Sequence, residues 1–84
     1  MAISLNKNMV HRTGRVMNPC KDGLVDLTCD GYIDFDGERV PCAIGYTIYA
    51  SDEYGDHIEA THAFVSDCIT ESGTNFNAET YELY

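Results

Sequence analysis

The feature that most constrains the fold is an alternation of apolar and polar side chains that precedes the dipeptide Asp36-Gly37. The odd-numbered positions that alternate on one side are Val25, Leu27, Cys29, Gly31, Ile33 and Phe35. The even-numbered positions between them are Asp26, Thr28, Asp30, Tyr32 and Asp34. A period of two residues is typical of a β-strand with one buried face. The alternation therefore predicts a half-buried strand that ends at a tight turn.

Asp36-Gly37 predicts a two-residue type I′ turn, because both central residues of that turn need positive φ. Such a turn pairs Ile33 with Val40 and Cys29 with Ile44. The inner face of the second strand is then expected to contain Val40, Cys42, Ile44, Tyr46, Ile48 and Ala50. On the outer face Asp34 falls opposite Arg39, which is a favourable cross-strand pair. The two strands thus form a hairpin whose apolar faces coincide.

Upstream of this hairpin, residues 18–23 have the composition of a turn, and residues 10–17 are expected to form a preceding strand. Pairing Val16 with Val25 would place Arg15 opposite Asp26 and His11 opposite Asp30. This register is expected because it matches opposite charges across the strands.

The sequence downstream of the hairpin fits two interpretations. A helical face would contain Ile58, His62, Val65 and Ile69, whereas a strand face would contain Ile58, Ala60, His62 and Phe64. A meander needs another antiparallel neighbour, which favours a strand over 58–65. Residues 77–84 fit a closing strand or one helical turn capped by Asn77. The predicted fold is mainly β, a small antiparallel meander curled into a barrel or sandwich, with room for one short helix.

The chain length and composition predict a single domain over residues 1–84. A chain of 84 residues is too short for two cores, and its 44% apolar content and nine aromatic residues argue against disorder. No apolar run approaches the ~20 residues that span a bilayer, and residues 1–15 lack the apolar core of a secretory signal. We therefore expect a cytoplasmic protein. Its four cysteines would allow two disulfides, but reduced thiols are favoured in that compartment.

The net charge of −9 is unevenly distributed. Four bases and no acids lie in the first 21 residues, which carry +4, whereas fourteen acids against one base leave −13 in the remainder. A surface of this kind repels nucleic acid and anionic membranes and attracts basic proteins. The charge therefore predicts a protein partner with a basic surface, and neither nucleic acid nor a membrane.

Metal binding is disfavoured by the spacing of the possible ligands. The cysteines lie at 20, 29, 42 and 68, and the chain has no Cys-x-x-Cys pair of the kind that structural zinc prefers. The segment Asp34-Phe35-Asp36-Gly37 is similar to part of an EF-hand loop. With Gly37 at the sixth position of that loop, however, Tyr32 and Ala43 would occupy the first and twelfth positions, where carboxylates are required. We expect no metal and no other cofactor.

Nucleophilic catalysis is also disfavoured. Cys68 or Ser66 could act with His62, but the flanking residues do not form a nucleophile elbow or another recognised catalytic turn. The sequence therefore predicts a protein that is not an enzyme.

Two groups of residues are candidates for partner binding. Asp26, Asp30 and Asp34 share the outer face of the first strand at steps of roughly 13 Å. The segment that follows the second strand contains Asp52, Glu53, Tyr54 and Asp56, in which an aromatic residue lies among acids, as is typical of binding anchors. The alternative for the strand is a solvated face on which Arg15 and Arg39 neutralise Asp26 and Asp34.

In size, acidity and composition, the whole chain resembles small phage-encoded inhibitors of host defence, including anti-CRISPR proteins and other DNA mimics. The resemblance implies a non-catalytic inhibitor that binds a basic nucleic-acid-handling protein in the cytoplasm of a host cell. The alternative is a small structural or assembly protein, such as a virion component, that acts through self-association.

Overall fold

The structure is a computed structural model that describes residues 3–15, 18–19, 24–49 and 57–84. A single 3₁₀ turn at Lys7–Met9 precedes eight strands: β1 (Val10–Arg12), β2 (Asn18–Pro19), β3 (Leu27–Phe35), β4 (Glu38–Tyr49), β5 (His57–Val65), β6 (Cys68–Ile69), β7 (Asn75–Phe76) and β8 (Glu79–Glu82). The main sheet has the order β1-β3-β4-β5-β8, in which β2 also pairs with β3, and β6 pairs separately with β7. All of these pairs are antiparallel. The prediction of a mainly β antiparallel meander is confirmed.

The central hairpin of β3 and β4 has the predicted register. Ile33 lies opposite Val40, and Cys29 lies opposite Ile44. Asp36 and Gly37 have φ values of 51° and 78°, as the type I′ turn requires. The inner face is buried at its centre but not at its end, because Ile48, which was expected inside, is 40% exposed.

Strand β5 confirms the strand interpretation of 58–65, but it contains a bulge that the alternation does not show. Gly45 pairs with His62 whereas Tyr46 pairs with Ala60, so Thr61 is an extra residue in β5. Because side chains alternate along a strand, this insertion changes which face the following residues occupy. The four residues of the predicted strand face are therefore divided: Ile58 and Ala60 share the inner face of β4, whereas His62 and Phe64 lie on the other side. Phe64 and Val65 point to opposite faces, and both are apolar because Val65 is buried on the inner face whereas Phe64 lies close to Gly45 on the outer face.

A strand preceding the hairpin is present and pairs with β3, but it is shorter than expected and its predicted register is wrong. Strand β1 ends at Arg12, and His11 lies opposite Tyr32 instead of Asp30. The ladder is interrupted after Arg12, where the amides of Thr13 and Gly14 both donate to the Asp30 carbonyl, at 2.9 and 3.3 Å, so that two residues face one residue of β3.

The residues after this bulge are also displaced from their predicted positions. Asn18 and Pro19, expected in a turn, pair with Thr28 and Leu27. The expected pairing of Arg15 with Asp26 is therefore wrong as well, whereas Val16 lies outside the described residues.

The main core forms where the curled sheet meets the segments at both ends of the described chain. Its buried members are Leu5, Ile33, Val40, Ala63, Val65, Phe76, Tyr81 and Leu83. Phe76 is fully buried, with edge-to-face contacts to Phe35 and Tyr81 at centroid distances of 5.3 and 5.8 Å. Over the described part of the chain, the sheet is not closed into a barrel. A parallel bridge between Leu5 and Leu83 links its two sides.

Val25 lies on the opposite side from its predicted position. A Cβ atom added to Gly45 would be 2.8 Å from Val25 Cγ1 and 2.9 Å from Phe64 Cε2. Gly45 is paired with Thr28 on the outer face, so Val25 folds over that face and is buried there.

Candidate partner-binding surface

The outer face of β3 exposes the carboxylates that the alternation predicts. Asp26, Asp30 and Asp34 are all exposed. Consecutive members are four residues apart, which is roughly 13 Å along a strand. The sequence therefore identified correctly that these three side chains face water.

Asp26 has a structural contact that the sequence did not predict. Its Oδ2 accepts a hydrogen bond from the Ile48 amide at 2.7 Å, and its own amide donates to the Tyr46 carbonyl at 2.9 Å. Hydrogen bonds to a carboxylate are stronger than those to a neutral acceptor. Asp26 thus extends the pairing of β4 beyond the end of β3, and one of its oxygens is already engaged.

Between Asp30 and Asp34, the outer face carries a stack of three side chains centred on Tyr32. The His11 ring is stacked on Tyr32 at 5.1 Å, and Arg39 Cζ lies 4.6 Å from the centroid of the same ring. The Asp34–Arg39 pairing in the ladder is confirmed. The arginine is held over an aromatic face, which is a favourable cation–π arrangement. The outer face therefore presents acids separated by an aromatic and basic group.

The end of the β3–β4 hairpin carries a second acidic group that the sequence did not reveal. Both carboxylate oxygens of Glu38 accept a hydrogen bond from the Glu71 amide, each at 3.1 Å. This contact brings Glu71 to the hairpin end, on the side of Glu38 and Phe35, whereas Asp34 lies on the other side and Asp36 is exposed in the turn. A separation of 33 residues leaves no local pattern by which the contact could have been recognised. We call Asp34, Asp36, Glu38 and Glu71 the acidic hairpin end.

The remaining predicted contact residues, Asp52, Glu53, Tyr54 and Asp56, lie outside the described residues.

The inner face contains the thiols of Cys29 and Cys42 and the hydroxyl of Tyr46. Cys29 is buried, and its thiol donates a hydrogen bond to the Tyr46 hydroxyl oxygen at 3.9 Å. Burial raises the pKa of the Cys42 thiol to about 11 and, with the Cys29 contact, that of Tyr46 to about 12. Burial also raises the pKa of Cys29. Cys29, Cys42 and Cys68 are free.

Residues 3–15, 18–19, 24–49 and 57–84 contain no cluster of three His, Cys, Asp or Glu side chains able to hold a metal ion. Over the same residues there is no helix long and apolar enough to cross a membrane.

No protein-family model matches this chain, and no characterised protein and no solved structure shows significant similarity to it.

Proposed function

We propose that this protein is a non-catalytic inhibitor that binds a basic nucleic-acid-handling protein through its acidic surface, as DNA mimics of the anti-CRISPR type do. The observation that carries the proposal is the exposure of Asp30 and Asp34 on one strand face, beside the exposed Asp36 of the turn. Asp26 shares this face, and Asp52, Glu53, Tyr54 and Asp56 are proposed to contribute. The inhibitor would act in the cytoplasm of the cell that contains its partner.

The mechanism is electrostatic competition. Carboxylates held on a rigid sheet occupy a channel lined by Lys and Arg and release the counterions that nucleic acid would release. The sheet fixes the carboxylates before binding, so little conformational entropy is lost when the complex forms. Binding is then expected to weaken steeply as salt concentration rises.

The Tyr32 stack gives this surface a feature beyond charge. An aromatic ring flanked by His11 and Arg39 provides a flat contact between the two carboxylates. Aromatic and arginine side chains are enriched at the energetically important centres of protein interfaces. In the proposed complex, Asp30 and Asp34 pair with bases of the partner on either side of this central contact.

The test begins with immobilised protein and a bacterial lysate at low and high salt. A retained nucleic-acid enzyme that is lost at high salt supports the proposal, and the purified enzyme is then used for affinity measurements. The double variant Asp30→Asn/Asp34→Asn should lower the affinity about ten-fold at low salt and reduce the salt slope by about two. The matched control is Glu79→Gln/Glu82→Gln, which removes the same charge from exposed positions on β8. Equal effects of the two variants would show that only net charge matters and would contradict the proposed surface.

Charge reversal at Asp52, Glu53 and Asp56 tests the second predicted contact region separately. It should also weaken binding and flatten the salt dependence. Unchanged affinity would remove this region from the proposal and leave the strand face alone.

A structural or assembly role through self-association is the alternative, and exposed apolar side chains favour it. Leu24, Ile48, Tyr49, Ile58, Ile69 and Tyr84 are between 40% and 74% exposed. This role predicts a defined homo-oligomer that persists at high salt. Sedimentation equilibrium over a range of salt concentrations distinguishes the two functions.

A further inference from the structure

The outer parts of β4 and β5 form a two-stranded ribbon that extends past the rest of the sheet. Pairing between β3 and β4 ends at Leu27 and Tyr46, and pairing between β5 and β8 covers only His62 to Val65. From Thr47 outward, the ladder partner of β4 among the described residues is therefore β5. A two-stranded ribbon is at best marginally stable in water unless one face packs against something.

The inner face of this ribbon is apolar and becomes progressively uncovered along its length. Ile44, at the core, is fully buried, whereas Ile48 and its cross-strand partner Ile58 are each 40% exposed. We define the apolar ribbon face by the residues on this side: Leu27, Tyr46, Ile48, Ile58 and Ala60.

The opposite face of the ribbon carries mainly polar side chains, together with Tyr49, which is 45% exposed. Thr47 and Thr61 share a hydrogen bond between their hydroxyls at 2.9 Å. Glu59 forms a salt bridge with Lys7. The two exposed isoleucines therefore lie together on the other face, and adjoining apolar side chains, more than single ones, mark surfaces that bind another molecule.

The surroundings of the apolar ribbon face determine which molecule fits it. Asp26 lies at the base of the ribbon, where it holds the Ile48 amide. Among the described residues from 24 onward, ten acids stand against one base, Arg39. Arg12 contributes a positive charge at the Tyr46 end of the face, away from the isoleucine pair. This charge balance favours a positively charged occupant, whereas a second copy would bring a further net charge of −9 against it.

We propose that the apolar ribbon face docks a basic amphipathic segment of a partner protein. Aliphatic side chains of that segment cover Ile48 and Ile58, and a Lys or Arg side chain contacts Asp26 at the base of the ribbon. The inference rests on the proposed function, because it describes how the same basic partner obtains affinity that salt does not remove.

The test uses two synthetic peptides of equal length and charge, one alternating leucine with lysine and the other alternating serine with lysine. The leucine peptide should bind the unmodified protein at least about ten-fold more tightly, because covering the isoleucine pair removes apolar area from water. In Ile48→Thr/Ile58→Thr the two peptides should bind equally, since threonine keeps the β propensity of the ribbon but loses most of its apolar surface. The matched control is Ile69→Thr, which changes the same residue type at a 73% exposed position on β6 and should preserve the preference.

Amide chemical shifts of the unmodified protein give a check that does not depend on variants. The leucine peptide should shift the amides of 46–48 and 58–60, and the serine peptide should leave them unchanged. Equal affinities of the two peptides for the unmodified protein, or shifts confined to other residues, would overturn the inference. A salt-resistant dimer abolished by Ile48→Thr/Ile58→Thr would overturn it in favour of a second copy.

The two proposals fail in different ways. If the leucine peptide docks on the ribbon but no basic nucleic-acid enzyme is retained from lysate, only the proposed function fails. If such an enzyme is retained and Ile48→Thr/Ile58→Thr does not weaken it, only the docking inference fails.

Discussion

Replacement of Gly31 by alanine tests the close packing of the inner sheet face. A Cβ atom at this position would lie 2.5 Å from the His11 carbonyl oxygen and 2.5 Å from Ile44 Cδ1. The first contact is with backbone, and the second is with a side chain that is fully buried. Neither can move without disturbing the β1–β3 pairing or the core, so Gly31→Ala should destabilise the fold.

The expected loss of stability combines two destabilising effects and one effect that offsets them. Overpacking a core costs about 1–3 kcal/mol. A weakened hydrogen bond between β1 and β3 adds about 1 kcal/mol. The smaller entropy of the unfolded chain offsets about 0.4–1 kcal/mol of this loss. The free energy of unfolding should therefore fall by roughly 2–3 kcal/mol, a large part of the stability of a small domain.

The assay is urea unfolding followed by circular dichroism. With an m-value of about 1 kcal/mol per M, the unfolding midpoint should fall by roughly 2–3 M. Gly14→Ala is the matched control, because its added Cβ would meet only the Asp30 nitrogen at 3.9 Å, and its effect should stay within about 0.5 kcal/mol. Gly45→Ala should be intermediate, since its close contacts are with side chains that can shift. If Gly31→Ala were as stable as Gly14→Ala, the packing described for this face would be wrong.

Three further predictions concern the core, the Cys42 thiol and Tyr46 hydroxyl of the inner face, and the hairpin end. Phe76→Ala should lower the free energy of unfolding by about 3–5 kcal/mol, measured by urea titration, because the ring is fully buried. Because the pKa is about 11 for Cys42 and about 12 for Tyr46 in the folded state, the unfolded chain releases these protons first, from about pH 9 and 10. The contribution of these two groups to the free energy of unfolding is therefore fully present below pH 9 and should be lost as pH rises through 11 and 12. Urea midpoints across that range measure the loss. Glu38→Ala should speed hydrogen exchange at the Glu71 amide, which loses its carboxylate acceptor.

Each of these predictions has a conservative control. Phe76→Leu keeps much of the buried volume and should cost clearly less than Phe76→Ala. Cys42→Ala should flatten the decline in stability between pH 9 and 11, and a midpoint constant over that range would contradict the effect of burial on this thiol. Glu38→Gln retains a carbonyl acceptor, so its effect on exchange should be smaller. Exchange at Glu71 that is unaffected by Glu38→Ala would exclude the contact.

The central hairpin could be predicted because all of its determinants are local. Asp36 and Gly37 specify the turn, the turn specifies the register, and the period of two specifies which face is buried. The same reasoning placed Asp30 and Asp34 in water. It could not show that Tyr32 between them holds His11 and Arg39, because that stack depends on how β1 pairs with β3.

The errors occur where extra residues change the relation between sequence and face. The extra residue Thr61 in β5 reverses the alternation, and the pairing with β3 changes register between β1 and β2. In both places the alternating pattern is compatible with more than one register. Contacts with neighbouring strands decide between these registers. Those contacts join residues that are distant in the sequence, so a local pattern does not reveal them.

The sequence by itself determined the β architecture, the central hairpin and its acidic outer face, because neighbouring residues control turn conformation and strand alternation. Only the tertiary structure decided that Phe76 fills the core, that Leu5 meets Leu83 and that Glu71 joins Glu38. Such contacts require closure of long loops, which is favourable only when complementary surfaces meet. The shapes of the two surfaces that meet therefore determine which distant residues become partners, and a local pattern of residues does not.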